Sequence, residues 1–225
     1  MKKIFLITVM LFAFVSCSDD DSAPKTQSMP LVSKMTVTVS GEPDWVYDII
    51  YDTQNRIEKV ITNGNTTMRY TYTENNYIST IFYGDVPQFV FHYNGQNIIT
   101  HYTYEDNGQM NAVNYDAASN TYRFPPESFT LNSHEDVSVE NGRKINYTAS
   151  KGVFANVTGK NIHLMNRFVG IFWGVASKMG IQDVKGANNE KVFEMETKYN
   201  DAGYPIQIDI TNFFGSPPTK ITLAY

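Results

Sequence analysis

The chain has 225 residues and a formal net charge of −5, with 18 basic and 23 acidic residues spread along its length. The basic residues form no cluster, which argues against nucleic acid and against charge-driven binding to a membrane surface. A single cysteine excludes an intramolecular disulfide, so stability has to come from burial, for which the length is sufficient for one domain.

The first 16 residues have the layout of an export signal. Lys2 and Lys3 are followed by an apolar run over residues 4–15, and Ser16 is the small residue before the expected cut. The run is shorter than the roughly 20 apolar residues of a spanning helix. We therefore predict that residues 1–16 are removed, which leaves 16 basic and 23 acidic residues and a net charge of −7.

The only cysteine, Cys17, directly follows this signal in the stretch "FVSCSDDD". A free thiol in an exported protein is prone to oxidation, and a thioether-linked lipid removes that problem. "FVSC" resembles the lipobox of bacterial lipoproteins, with Phe14 in the place of the usual Leu, and this implies lipidation of Cys17. "CSDDD" resembles the tag of Bacteroidota lipoproteins carried to the cell surface. The alternative to the lipobox is a plain secretory signal with a stray cysteine near the cut, and the alternative to the tag is a solvated acidic spacer.

Three segments are therefore expected: the signal peptide 1–16, a lipidated and flexible tether 17–30, and one β domain 31–225. The expected location is the outer membrane, with the lipid as the only membrane contact and the domain exposed at the cell surface. The periplasmic face of the same membrane is the alternative. Residues 18–30 are small, polar and Pro-containing, as flexible linkers are.

From Leu31 onward the apolar pattern has a period of two. In "KMTVTVS", Met35, Val37 and Val39 alternate with polar residues, the pattern of a half-buried strand. Aromatic and β-branched residues dominate, and turn signals rich in Asn, Gly and Asp recur every ~8–12 residues. The pattern predicts an all-β fold: an antiparallel meander of repeated hairpins.

A short segment recurs along this meander. Each copy has a Tyr that ends one strand, a polar turn, and an apolar residue that opens the next strand: "YDTQNRIEKV" from Tyr51, "YTENNYISTI" from Tyr72, "YNGQNIITHY" from Tyr93, "YEDNGQMNAV" from Tyr104 and "YNDAGYPIQI" from Tyr199. A fixed spacing of this kind indicates a repeated supersecondary unit. We expect each Tyr ring to cover its turn and to keep its hydroxyl near water.

These segments resemble the tyrosine-aspartate (YD) repeats of Rhs-type shell proteins. With the lipobox, "NIHLMNRF" and the last "KYNDAGYPIQI" hairpin, the chain resembles a family of Bacteroidota lipoproteins of unknown function with a porin-like fold. The resemblance implies a curled, barrel-like sheet and carries no known activity or site residue. Polar residues at outward strand positions, as in "RIEKVIT", predict a sheet that faces water rather than lipid.

Residues 161–181 break the strand pattern. Apolar residues at spacings of three and four predict a short helical segment near 162–180, which begins after Asn161 and stops at Gly180. We expect this segment to plug the mouth or the concave face of the sheet. Phe168 and Trp173 lie off its apolar stripe and are candidate ligand contacts, with core packing as the alternative.

Catalytic and metal-binding motifs are absent from the sequence. The histidines His92, His101, His134 and His163 are scattered, and a tight turn at Asn94 would place His92 beside Asn97 rather than His101. No zinc, calcium, phosphate or nucleophile motif appears. We therefore assign no cofactor, no metal and no catalytic residue.

Three functional hypotheses remain. The first is a surface-tethered, non-catalytic module that binds a glycan or a peptide, with Trp45, Trp173 and Phe168 as contact aromatics. The second is a structural or docking subunit of an outer-membrane protein complex. The third is a hydrolase with an unrecognised site. The missing catalytic motifs favour the first two.

Overall fold

A single 17-stranded antiparallel sheet accounts for most of the residues that the computed structural model describes, which are 29–104, 108–165 and 175–225. Its strands are β1 (Lys34–Val39), β2 (Trp45–Tyr51), β3 (Ile57–Thr62), β4 (Thr66–Tyr72), β5 (Ile78–Tyr83), β6 (Val86–Tyr93), β7 (Ile99–Tyr104), β8 (Met110–Ala112), β9 (Asn114–Asp116), β10 (Thr121–Phe124), β11 (Glu127–Leu131), β12 (Val137–Glu140), β13 (Arg143–Lys151), β14 (Met179–Lys185), β15 (Lys191–Tyr199), β16 (Pro205–Asn212) and β17 (Thr219–Ala224).

The sheet curls into a nearly closed barrel. Each strand pairs with the next strand along the chain, except at β8 and β9. There β8 pairs with β7, and β9 pairs with β10. Val113 joins these two short strands, and its amide donates to the Thr100 carbonyl at 2.9 Å. The first strand pairs with the last over six residues, from Lys34↔Ala224 to Val39↔Thr219. The predicted all-β, barrel-like meander is confirmed.

Side-chain alternation separates an apolar interior from a charged outer wall. Met35 and Val37 on β1 are fully buried, and Lys34, Thr36 and Thr38, which alternate with them, point outward. On the outer wall, Glu196, Asp209 and Lys220 form one cross-strand row over β15, β16 and β17. Charged rows suit a wall that faces water, since a wall in lipid would need apolar residues there. Among the described residues, no helix is long and apolar enough to cross a membrane.

A common turn geometry occurs at one end of the barrel. In the turn after β2, the Asp52 carboxylate accepts the amides of Gln54 at 2.9 Å and Arg56 at 3.0 Å. The Asn94 side-chain oxygen does the same for Gln96 and Ile98. Turns at 132–136 and 200–204 repeat the pattern with Asn132 and Asn200. In the part of the chain that the structure describes, the two turn amides have no partner on a neighbouring strand, and the side-chain oxygen of Asp or Asn accepts both of them. This explains why Asp or Asn stands directly after the strand.

Tyrosine hydroxyls tie successive turns together at this end, which we call the tyrosine end. Tyr72 donates to the Ile57 carbonyl at 2.7 Å, and Tyr93 donates to the Ile78 carbonyl at 2.6 Å. Burial raises the pKa of the Tyr72 phenol well above its usual value. The expectation that these hydroxyls stay near water is wrong, because each reaches inward to a carbonyl of the preceding hairpin.

Tyr104 does not belong to this set. Strand β7 starts at the tyrosine end, so its last residue, Tyr104, lies at the opposite end, where it is 36% exposed. Residues 105–107 of the predicted turn lie outside the described residues. The segment from Tyr104 shares the sequence pattern of the other segments, but the direction of β7 places its tyrosine at the opposite end of the barrel.

The connection between β13 and β14 closes the tyrosine end. Its Thr158 amide donates to the Asn55 carbonyl at 3.1 Å, and its Lys160 amide donates to the Asn76 carbonyl at 2.8 Å. Further along, Leu164 and Met165 are fully buried in the barrel interior. The predicted plug is thus present, and the end that it leaves uncovered is called the open end below.

The predicted helix does not extend to Gly180. Residues 163–165 are helical, and residues 166–174 lie outside the description. Met179 and Gly180 already belong to β14, so the predicted helix stop at Gly180 is wrong. The Asp136 carboxylate accepts the amides of Lys178 at 2.8 Å and Met179 at 3.0 Å, which directs the chain into the strand.

Candidate functional site

A cavity of about 540 Å³ lies inside the barrel toward the open end. Its size falls within the range of small-ligand pockets. Most of its lining is aliphatic or aromatic, and the lining residues come from the barrel wall and the connection between β16 and β17: Val39, Glu140, Arg143, Ile145, Ile181, Val184, Phe193, Met195, Ile210, Asn212, Ser216, Pro217 and Thr219.

Two cross-strand rows form the wall of the cavity. One row crosses β13 to β16: Ile145, Val184, Phe193 and Asn212. The other crosses β15, β16, β17 and β1: Met195, Ile210, Thr219 and Val39. Because neighbours in a row share one face of the sheet, the wall is continuous over six strands. Most of the apolar members are only half-buried, so the cavity is reachable from outside.

The two halves of the barrel differ in how they fill the interior. An aromatic cluster fills the side formed by β10 and β11. The ring of Phe129 lies 5.3 Å from the rings of both Tyr122 and Phe124, measured between centroids. Tyr102 on β7 extends this cluster, 5.7 Å from Phe124. The cavity side presents mainly shorter aliphatic chains, which cannot reach across the barrel. The space is therefore a consequence of side-chain size.

Polar groups are confined to a few positions in the lining. Glu140 and Arg143 face each other across the β12–β13 hairpin. Burial raises the pKa of the Glu140 carboxyl, and the Arg143 charge opposes that rise. The Asn212 side chain accepts the Phe214 amide at 2.8 Å, which fixes the start of the 213–218 connection. An apolar chamber with an acid, a base and an amide can orient a ligand that is mostly apolar but has a polar part.

Of the three sequence-predicted contact residues, only Trp45 lies among the described residues, and it is not in this cavity. Trp45 begins β2 at the open end with 44% of its surface exposed, on the same strand face as the buried Tyr47 and Ile49, but it does not line the cavity. Phe168, Trp173 and Cys17 lie outside the described residues. The lining residues were not predicted, since the sequence marks them only as ordinary inward strand positions.

The structure brings two of the four histidines together, contrary to expectation. His92 and His101 are cross-strand partners on β6 and β7, and their rings stack with centroids 4.2 Å apart. The turn between them is wider than the assumed Asn94 turn, since the Asn94 amide donates to the Ile98 carbonyl. His134 is exposed on another turn, and His163 is buried against Phe129. The described residues contain no group of three metal-binding side chains.

Carboxylates are not paired in the cavity. Among its described lining residues, Glu140 is the one acid, whereas glycoside hydrolysis in its usual form needs two carboxyls. Glu194 and Glu196 point outward from β15, and Glu194 binds the Lys191 ammonium at 2.6 Å. Asp136 is engaged by backbone amides. The described lining of the cavity therefore holds no second carboxyl for that reaction.

No protein-family model matches the chain, and no curated protein matches it. Several solved structures are similar to it, two of which are porin-like proteins. A porin-like protein from Bacteroides vulgatus ATCC 8482 has 14% identity and a TM-score of 0.48, with 87% of this chain and 98% of that one covered. A porin-like protein from Bacteroides uniformis ATCC 8492 has 10% identity and a TM-score of 0.43, with 86% and 97% covered.

Proposed function

We propose that the protein is a non-catalytic binding module, held at the cell surface by a lipid on Cys17, whose ligand enters the open end of the barrel. The observation that supports the binding role most directly is the apolar cavity of about 540 Å³, most of whose apolar wall residues are only partly buried. Lipobox-like "FVSC" and the "CSDDD" tag support the anchor and the surface location. The recurring tyrosine turns support membership in the Bacteroidota lipoproteins with YD-type repeats.

The first described residues of the chain and the cavity lie at opposite ends of the barrel. The chain enters β1 at the tyrosine end, where the Ser33 amide donates to the Ala224 carbonyl at 2.8 Å and the Asn156 side chain donates to the Pro30 carbonyl at 2.7 Å. A lipid attached at Cys17 therefore holds the molecule by its closed end. With the tether extended, the open end points away from the membrane and toward ligands outside the cell.

The ligand class that fits best is a peptide with apolar side chains. Ile145, Val184 and Phe193 offer apolar surface, which favours apolar groups over the hydroxyl-rich faces of a glycan. Glu140 and Arg143 supply one acid and one base, a combination that suits the polar but uncharged main chain of a peptide. A fatty acid would use the base alone.

Displacement of an apolar fluorophore tests this proposal. All described strands and the core lie between Val32 and Ala224, so a chain that starts at Ser18 keeps every contact described above. Anilinonaphthalene sulfonate is titrated into this chain and then displaced by a Leu- and Phe-rich hexapeptide. A Ser- and Gly-rich hexapeptide, dodecanoate and a neutral oligosaccharide are tested in parallel.

A matched pair of variants locates the binding. Met195→Trp fills the cavity from β15, and Glu196→Trp places the same ring on the outer face of the same strand. We expect Met195→Trp to abolish displacement by the apolar peptide and Glu196→Trp to leave it unchanged. Equal behaviour of the two variants contradicts a site in the cavity. Displacement by dodecanoate or the oligosaccharide alone contradicts the peptide assignment.

Docking to an outer-membrane protein complex is the second candidate. It is favoured by large apolar side chains exposed around the open end: Trp45 is 44%, Phe213 is 49% and Phe214 is 67% exposed. Cross-linking in intact cells tests it, with a photoreactive residue at Phe214 and a control at Asp201 in a turn of the tyrosine end. A cross-linked membrane protein at Phe214 alone supports docking, and its absence contradicts it.

A further inference from the structure

We propose that His92 and His101 form a binding site for a transition-metal ion, Zn²⁺ or Cu²⁺, on the outer wall of the barrel. The two residues are directly opposite each other in the β6–β7 ladder. Their rings lie 4.2 Å apart with an angle of 10° between the planes, which is a face-to-face stack. This site is separate from the cavity and does not depend on the proposed function.

The two rings are close enough to share one metal ion. In a tetrahedral zinc centre with bonds of about 2.0–2.1 Å, two nitrogen ligands lie roughly 3.3 Å apart. In the stack the ring planes are nearly parallel, so the nitrogen lone pairs do not yet converge; to bind one ion, each ring has to turn well out of the stack about its Cβ–Cγ bond, for which the partly exposed outer wall leaves room. That torsion is broad for histidine, so the adjustment needs no movement of the strands.

A neighbouring side chain orients one of the two imidazole rings. The Thr100 hydroxyl lies 3.0 Å from Nδ1 of His101. A hydrogen bond at that nitrogen orients the ring and leaves Nε2 as the ligand atom, as the partners of metal-bound histidines commonly do.

Ligand type determines which ions the site takes. Two imidazoles suit Zn²⁺, Cu²⁺ and Ni²⁺ and discriminate against Mg²⁺ and Ca²⁺, which prefer oxygen. The chain supplies two ligands from rigid neighbouring strands, and water completes the coordination. The remaining positions stay open, so the ion can accept a further donor from another molecule.

Calorimetric titration of ZnCl₂ and CuCl₂ into the untagged chain from Ser18 tests the site. The variants are His92→Gln and His101→Gln, with His134→Gln as the matched control because His134 is exposed on the turn between β11 and β12. We expect one ion per chain, with affinity at least about tenfold weaker in either pair variant because chelation is lost. The control retains the original affinity.

Thermal unfolding without metal confirms that each variant is folded, and with metal it reports the same site independently. Zn²⁺ should raise the melting temperature of the original chain and of His134→Gln but not of either pair variant. Equal affinity in all four proteins, or equal loss in the control, overturns the proposal. So does the absence of a measurable heat in the original chain.

Discussion

The hydroxyl groups of two neighbouring tyrosines on β4 provide a sharp test of how the tyrosine end is stabilised. Tyr72 donates to the buried Ile57 carbonyl at 2.7 Å. Tyr70, two residues earlier on the same strand face, has a buried hydroxyl with no hydrogen-bond partner among the described residues. Replacing each by Phe removes one oxygen atom and leaves the ring, so packing changes little.

The two substitutions should have opposite effects. Tyr72→Phe leaves a buried carbonyl without its partner, which costs roughly 1–3 kcal/mol of unfolding free energy. Tyr70→Phe removes a hydroxyl that is buried without compensation, so it should be neutral or stabilising by up to about 1 kcal/mol. For a domain of this size, each kcal/mol corresponds to about 2–4 °C in melting temperature.

Urea unfolding of the chain from Ser18, followed by circular dichroism, measures both effects. We expect the midpoint to fall for Tyr72→Phe and to stay or rise for Tyr70→Phe, with unchanged slopes. Two equal losses would show that the rings alone matter. A larger loss for Tyr70→Phe would refute the assignment of the Tyr72 bond as a link between hairpins.

Three further outcomes follow from the same end of the barrel. Asp52→Asn should lose about 1 kcal/mol in urea unfolding, because it keeps the oxygen that accepts the backbone amides but loses the ion pair with Arg56 at 2.6 Å. Asp52→Ala loses both contacts and should cost about 2 kcal/mol; equal losses would contradict the turn geometry. Asn55 has φ of 60°, so Asn55→Gly should be nearly neutral and Asn55→Ile should cost about 1–2 kcal/mol by the same assay. Burial raises the pKa of Tyr122 to about 12, and other buried tyrosines shift in the same direction. Because folding favours the protonated phenols, the free energy of unfolding is unaffected by the ionisation of these groups below about pH 10 and falls as the pH rises toward 12. Phenolate absorbance should therefore rise together with the loss of the circular-dichroism signal. Ionisation without unfolding would contradict the burial.

Local sequence patterns were sufficient to predict the strands of the sheet and several of its turns. Alternation in "KMTVTVS" predicted the inward Met35 and Val37, and the Tyr-to-Asx segments located several turns of the tyrosine end. Both patterns depend on neighbours in sequence, because one strand period and one turn decide them. The plug was predicted from its break in alternation, although its helix ends before β14.

The cavity and the histidine pair were beyond local patterns. Phe193 and Asn212 are far apart in sequence and become neighbours only through the β15–β16 register. His92 and His101 were misplaced because a wider turn shifts the register of the whole hairpin. The hydroxyl of Tyr72 was placed near water because its partner, Ile57, belongs to the preceding hairpin. Each of these features is set by pairing between strands.

Methionine-methyl NMR tests the central claim, ligand binding inside the barrel, most directly. Met195 lines the cavity, Met35 is fully buried in the core, and Met110 is 65% exposed at the open end. On titration with the Leu- and Phe-rich hexapeptide, the account predicts a saturable shift of the Met195 methyl signal while the Met35 signal stays in place. A shift at Met110 with none at Met195 would place the ligand on the outside of the barrel and contradict the account.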